Sequence, residues 1–113
     1  MALKDDKPRV MAALSRTGGL RRVLPAWPDV WAELPCAVVT EAANRPADHR
    51  DDRERVTELE YYVRVFASRA EEAARAAEAV DAAMLELGYA RTMAWEDDGA
   101  PVRQKVLRYR IYL

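Results

Sequence analysis

The chain offers few side chains suited to catalysis or metal binding. Its one histidine, His49, stands beside Asp48, Asp51 and Asp52, and these four side chains could meet a divalent ion. A zinc site, however, takes a defined set of ligands drawn mostly from cysteine and histidine, and no second histidine or cysteine joins this group. A run of mixed charge more commonly forms a solvated surface. The sequence therefore favours an exposed charged segment and predicts no metal or cofactor.

The single cysteine, Cys36, is a poor candidate for a nucleophile. It is flanked by apolar residues, and free cysteine is among the residue types most often buried. Cysteine–histidine catalysis would need Cys36 to be exposed and His49 to be held still, and the sequence indicates the opposite of both. The segment Thr17-Gly18-Gly19 lacks the lysine and the preceding strand of a phosphate-binding loop. We therefore expect a protein that is not an enzyme.

Charge and hydropathy limit the classes of partner. The 113 residues include 18 basic and 19 acidic side chains, for a net charge of −1. Non-specific nucleic-acid binding depends on a positive excess, so no specific nucleic-acid partner is expected. No run approaches the roughly 20 apolar residues of a membrane span, and the N-terminal residues have no signal-peptide core. The sequence predicts a soluble protein without a membrane partner, and its unpaired cysteine is consistent with a reducing cytoplasm.

Two groups of residues are better candidates for function, as surfaces that contact other proteins. The first shares one face of two predicted strands and combines arginine with aromatic side chains: Tyr62, Arg64, Phe66, Arg108, Arg110 and Tyr112. The second lies in the charged segment 44–55: Arg45, Asp48, Arg50, Asp51, Asp52, Arg53 and Arg55. Arginine and aromatic residues are enriched at protein interfaces, and they also bind single-stranded nucleic acid.

Two carboxylates beside the first group favour one of these alternatives. Glu58 and Glu60 lie in the same row as Arg64 and would repel phosphate, which favours protein contact over nucleic acid. The two carboxylates could accept arginines from a neighbouring subunit. An open face that is simply covered by amphipathic side chains remains an alternative.

Periodicity predicts an α+β domain, residues 1–113, with the order α-β-β-α-β-β. Its predicted parts are an N-terminal helix 5–16, a proline- and tryptophan-containing connector 20–35, a hairpin 36–67 with an exposed, poorly ordered tip 44–55, a helix 69–87 and a hairpin 89–113. A capping box from Ser68 to Glu71 opens the long helix, and Gly88 ends it. Trp27 and Trp31 are expected to dock the connector onto the body of the domain.

The two hairpins are expected to form one antiparallel sheet of about four strands, with the long helix on one face. Six residues share the spacing of the core-facing side: Val63, Val65, Val80, Met84, Leu107 and Ile111. We predict that all six are buried between the helix and the sheet.

Four stretches carry a resemblance to a known family. They are the run from Trp27 to Pro46, the strand Tyr62 to Ala67 leading into an alanine- and glutamate-rich helix, the turn Leu87 to Arg91, and the closing run Lys105 to Arg110. Together with the order of elements, they resemble the tail-completion or tail-terminator proteins of long-tailed bacteriophages and prophages. The resemblance extends from about residue 23 onward and consists of strand and helix patterns, without catalytic residues.

The resemblance implies a virion protein that forms a hexameric ring on the end of the tail tube, stops its growth and joins it to the head–tail connector. The implied partners are further copies of the chain, the tail-tube protein and the connector. The implied location is the virion tail, after assembly in the cytoplasm of the bacterial host. A head-closure protein of related fold, and a small host protein- or ligand-binding module, remain alternatives, because fold alone does not define function.

Overall fold

In a computed structural model, the chain forms a mixed five-stranded sheet with two helices packed on one face. The structure describes residues 3–30, 33–50, 53–97 and 102–113, and for residues 48–50 and 53–55 it describes the backbone alone. The elements in chain order are α1 (Lys7–Ser15), β1 (Arg22–Leu24), β2 (Cys36–Arg50), β3 (Arg53–Ala67), α2 (Ala70–Glu86), β4 (Ala90–Asp97) and β5 (Arg103–Tyr112). The strand order is β1-β2-β3-β5-β4, and every pairing is antiparallel except that of β1 with β2.

The central strand β3 separates the core from the opposite face. Its residues alternate, so Leu59, Tyr61 and Val63 point toward the helices and are fully buried. The six predicted core residues are all confirmed as buried, with at most 8% of any side chain exposed: Val63, Val65, Val80, Met84, Leu107 and Ile111. The α+β class and the orientation of α2 are therefore as the periodicity predicts.

Helix α2 is held against the sheet by close packing and by two hydrogen bonds to one aspartate. Buried alanines such as Ala76 and Ala77 let it lie close to the sheet. Asp81 accepts hydrogen bonds from the Tyr109 hydroxyl at 2.8 Å and from Arg91 at 2.7 Å, which links the helix to β5 and β4. The predicted stop is confirmed, because Gly88 follows the helix with a φ of 100°.

The capping of α2 differs from the predicted capping box. The backbone N–H of Ser68 donates to the carboxylate of Glu72 at 3.3 Å, and not to Glu71. The residue before the first turn is Arg69, which makes no side-chain capping bond. The helix begins one residue later than predicted, so the acceptor that reaches back to Ser68 is also one residue later.

Helix α1 is held by a buried polar network centred on Asp6. The carboxylate of Asp6 accepts hydrogen bonds from Arg9 at 2.9 and 2.8 Å and from the Tyr89 hydroxyl. The backbone N–H of Asp6 donates a hydrogen bond to the Tyr61 hydroxyl. Burial raises the pKa of Tyr61 to about 12, so this residue stays neutral. Burial of Asp6 opposes ionisation, but hydrogen bonds from Arg9 and Tyr89 outweigh it and lower the pKa of the Asp6 carboxyl.

Replacing Asp6 with asparagine is expected to cost about 2 kcal/mol of stability at neutral pH, because charge-assisted hydrogen bonds are lost. The folded-state pKa of Asp6 lies below its unfolded-state pKa. Its contribution is therefore fully present above about pH 4 and is lost as the pH falls through the folded-state pKa. Urea unfolding of both proteins across this range measures the difference. If the free energies of unfolding of wild type and Asp6→Asn differ by the same amount at neutral and acidic pH, this account is contradicted.

The connector 20–35 contains a strand that the sequence analysis missed. β1 pairs in parallel with the start of β2, with Arg22 opposite Cys36 and Leu24 opposite Val38. The sheet therefore has five strands, and the predicted four-stranded, wholly antiparallel sheet is wrong. β1 ends before Pro25 and lies at the sheet edge, where a following proline interrupts no ladder.

The predicted loop at 44–55 is also wrong, since β2 continues to Arg50 and β3 begins at Arg53. The chain after β5 last meets β3 at Thr57, where Leu113 and Thr57 exchange backbone hydrogen bonds at 2.7 and 2.9 Å. Beyond that point residues 48–50 and 53–56 pair only with each other among the described residues, and we call them the β-arm. Backbone pairing needs no apolar side chain, so a charged sequence can extend the ribbon.

Candidate interaction surface

The sheet face opposite the helices carries five of the six residues of the first predicted group, together with Arg45 of the second. We call this surface the arginine face, and it consists of Thr40, Arg45, Glu58, Glu60, Tyr62, Arg64, Trp95, Arg108, Arg110 and Tyr112. The strand register aligns it, because Tyr62 of β3 lies opposite both Thr40 of β2 and Arg108 of β5. One row of side chains thus crosses three strands.

Glu58 and Glu60 form the acidic centre of the arginine face, and they are neutralised within the chain. Only 12% and 4% of their side chains are exposed. Arg108 donates from Nε to Glu60 at 3.0 Å, and Arg45 binds Glu58 and lies 3.5 Å from Glu60. These nearly buried carboxylates therefore have guanidinium partners on the neighbouring strands.

Further contacts complete this cluster. Arg110 lies 3.8 Å from Glu58, and the Tyr112 hydroxyl donates to Glu58 at 3.2 Å. The hydrogen bond from Arg45 lowers the pKa of Glu58. In the single chain, three arginines already occupy Glu58 and Glu60, so an arginine from a neighbouring subunit would have to compete with them.

Arg64 differs from the other arginines of this face. Its guanidinium lies between two aromatic rings, 4.6 Å from the centre of Tyr62 and 5.6 Å from the centre of Trp27. It donates to the Thr40 hydroxyl at 3.2 Å. Among the described residues it has no carboxylate partner. Stacking thus positions a cation without neutralising its charge.

The aromatic row continues to the edge strand β4. Trp95 meets Tyr62 edge-to-face at 6.0 Å, and Arg108 lies 5.7 Å from the Tyr62 ring centre. The position of Trp95 on this surface was not predicted from the sequence. Alternation along β4 was the available signal, but a register shift between Arg91 and Met93 interrupts it.

Phe66 does not belong to the open part of the face, contrary to the sequence prediction. It is 2% exposed and packs with Cys36 and Val38 in a second, smaller core. Trp27 covers it, with ring centres 5.3 Å apart, which confirms the predicted docking of this tryptophan. Trp31 lies outside the described residues.

The predicted tip residues are brought together only in part. The backbones of Asp48 and Arg50 lie in β2 and those of Arg53 and Arg55 in β3, without described side chains. Asp51 and Asp52 lie outside the described residues, and the side chain of His49 is not described either. The hypothesis that these side chains bind a metal ion therefore stays untested. No group of three or more metal-ligating side chains occurs within residues 3–47, 56–97 and 102–113, leaving aside the undescribed 31 and 32.

A cavity of about 270 Å³ lies beside the connector, lined by Leu24, Trp27, Val30 and Cys36 among others. Small-molecule sites commonly measure roughly 300–1,000 Å³ and contain a few convergent polar groups. The polar lining here, Arg22 and Glu33, is already joined in an ion pair at 3.1 Å. Burial raises the pKa of the Cys36 thiol, which disfavours the thiolate. This cavity therefore gives no chemical support to an enzyme.

Comparison with protein-family models found no match, and comparison with curated proteins found none either. No helix within the described part of the chain is both long enough and apolar enough to span a membrane.

Proposed function

We propose that this chain is a virion assembly protein of a long-tailed bacteriophage or prophage, a tail-completion or tail-terminator protein. In this function, copies of the chain form a ring, expected to be hexameric, that caps the tail tube and joins it to the head–tail connector. The four stretches of sequence described above resemble that family, and the order of the two hairpins and two helices is compatible with it.

The observation that carries the proposal is the β-arm. The molecule measures 51 × 26 × 24 Å, and the ribbon of β2 and β3 continues past the end of β5. A two-stranded ribbon is only marginally stable by itself in water. An arm that extends beyond its own core is therefore best explained as a contact made with another subunit or with the tail tube.

The arginine face supports an assembly role over a ligand-binding role. It presents aromatic and guanidinium surface, with 54% of Tyr112 exposed, and the adjoining Trp27, whose ring lies beside Arg64, is exposed to the same extent. Exposed aromatic groups beside arginine are typical of protein interfaces. A host ligand-binding module would instead use a deep pocket with unpaired polar groups.

Adding the purified chain to polymerising tail-tube protein tests the proposal. We expect shorter tubes and a ring of extra density at one end, visible by negative-stain electron microscopy, because a bound ring blocks the addition of further tube subunits. Bovine serum albumin at equal mass serves as the control for crowding. Tubes of unchanged length with bare ends would contradict the proposal.

Two simpler measurements separate the alternatives. Light scattering coupled to size-exclusion chromatography distinguishes a ring from the stable monomer or dimer that a host binding module predicts. Portal and tail-tube genes beside the gene for this chain would support the virion assignment.

A further inference from the structure

The arginine face presents its cations to solvent and holds its carboxylates beneath them. The face contains four arginines and two glutamates, which gives it a net charge of +2. Arg108, Arg110 and Arg45 have 31%, 39% and 57% of their side chains exposed. Their partners Glu58 and Glu60 are nearly buried. A surface that docks here must therefore supply carboxylates that are not already neutralised.

Arg64 is the cation of this face best placed to bind a carboxylate from another molecule. Trp27 and Tyr62 restrict its guanidinium, so less side-chain freedom is lost when a partner binds. Among the described residues it has a hydroxyl partner, Thr40, but no carboxylate partner. A guanidinium has five N–H donors, so a single hydrogen bond to Thr40 leaves donors for a carboxylate.

The central ring of this face is poorly suited to binding nucleic acid. Single-stranded nucleic acid stacks its bases on open aromatic rings. The guanidinium groups of Arg64 and Arg108 lie over the Tyr62 ring, 4.6 and 5.7 Å from its centre, and Trp95 meets the same ring edge-to-face. The Tyr62 ring is thus occupied within the chain, which favours a protein carboxylate as the ligand.

Helix α2 carries an acidic surface on the other side of the molecule. Its 17 residues include five carboxylates and one arginine, a net charge of −4. The exposed side of α2 points away from the sheet, and we call it the acidic stripe: Glu71, Ala74, Arg75, Glu78, Ala82, Leu85 and Glu86. Within the described part of the chain, Glu78 and Glu86 have no ion-pair partner. The stripe therefore has free carboxylates of the kind that the arginine face requires.

The two surfaces cannot meet within one molecule, because the arginine face lies opposite the helices. Their spacings match between molecules. Glu78 and Glu86 are eight residues apart on α2, which corresponds to about 12 Å at roughly 1.5 Å per residue. Arg110 pairs in register with Glu60, four residues from Arg64 on β3, or about 13 Å at roughly 3.3 Å per residue. Two carboxylates of the stripe can therefore reach two arginines of the face together.

We propose that the arginine face binds the acidic stripe of a second copy of this chain, with Arg64 and Arg110 donating to Glu78 and Glu86. The inference rests on the proposed function and deepens it, since it names a contact between the copies that assemble. Leu85, which is 51% exposed on the stripe, then packs against the aromatic rings of the face. The two surfaces differ, so the contact is head-to-tail and generates a ring if the rotation closes.

Two variants and a matched control test this contact. Arg64→Glu removes the excess positive charge of the face, and Glu78→Lys/Glu86→Lys reverses the charge of the stripe. Arg21→Glu makes the same substitution as the first variant at an exposed residue beside α1, outside both surfaces. Circular dichroism checks that each variant is folded. Arg64→Gln removes the charge with a smaller change in the side chain if Arg64→Glu does not fold.

Sedimentation velocity over a concentration series at low ionic strength measures self-association. Relative to wild type, we expect the face variant and the stripe variant each to associate at least about tenfold more weakly, because each opposes like charges. Arg21→Glu should match wild type. An equal mixture of the face and stripe variants should associate more strongly than either alone, since the intact stripe of one meets the intact face of the other.

Wild-type protein that stays monomeric throughout the series overturns the proposed contact, as does wild-type association in either variant or a mixture that associates no better than its parts. A labelled oligothymidylate probes the other class of ligand. If wild type binds it and Arg64→Glu does not, the face is a nucleic-acid site and the proposed contact is wrong.

The tube-capping assay with wild type separates this contact from the proposed function. If wild type caps tail tubes while both variants associate normally, the contact is refuted and the assembly function stands. If wild type and the variants associate as expected but tubes stay uncapped, the contact stands and the tail-terminator function fails.

Discussion

Replacing Val80 with aspartate is expected to unfold the protein. Val80 has no exposed surface and lies between α2 and the sheet, in the cluster that contains Tyr61 and Tyr109. An unpaired carboxylate at this position costs on the order of 5 kcal/mol, which is comparable with the whole stability of a small domain. Far-ultraviolet circular dichroism and a thermal melt measure the loss.

Two variants of the same helix control for the chemistry of the change. Ala82 is exposed on α2, so Ala82→Asp should leave the melting temperature nearly unchanged. Val80→Ala should keep the fold and cost about 2 kcal/mol, because it removes buried methyl groups without adding charge. A Val80→Asp protein that melts like wild type would show that the packing of α2 on the sheet is incorrect.

Removing the end of the β-arm is expected to abolish tail assembly while the domain remains folded. The change replaces residues 48–53 with an Asn-Gly turn, which suits a two-residue hairpin connection. The last residue pair between β3 and β5 is Glu58 with Tyr112, and the described residues of the β-arm lie beyond it. The deletion therefore leaves the main core untouched. Thermal melting should shift little, and electron microscopy of lysates should find heads without joined tails.

A variant of equal length separates the chemistry of the arm from its reach. Exchanging the same six residues for serine and glycine keeps the chain length but removes every charge. If this variant also fails to assemble, the charged side chains are required and length alone is insufficient. Normal tails from the shortened protein would eliminate the β-arm as an assembly contact.

Periodicity predicted the parts of this fold in which one face of an element is buried. On β3, the alternation of Leu59, Tyr61 and Val63 with polar residues defines the two faces, and on α2 the spacing of Val80 and Met84 defines the buried stripe. These patterns are local, since each residue's environment follows from its own position within one element.

The remaining features depend on contacts between distant residues. β1 has only three residues, too few for alternation to distinguish a strand from a connector. The β-arm lacks an apolar pattern, so alternation could not distinguish its two strands from a charged loop. The burial of Phe66 depends on Trp27, which lies 39 positions earlier in the sequence.

The arginine face was predicted in composition but not in pairing. Arg64, Arg108 and Arg110 share a face, as period-two alternation indicates. Which arginine lacks a carboxylate depends on the register that places Arg45 opposite Glu58 and Arg108 opposite Tyr62. A sequence pattern does not specify register between strands separated by a helix.

The double use of β3 has a consequence for how this protein can evolve. Its odd-numbered residues, such as Tyr61, build the core, and its even-numbered residues, such as Glu60 and Arg64, build the opposite surface. Substitution can therefore alter one face and leave the other intact. Inserting or deleting a single residue would exchange the two, moving carboxylates inward and tyrosine outward. Natural variation in this strand should thus consist of point changes, while length changes collect in the β-arm and the connector.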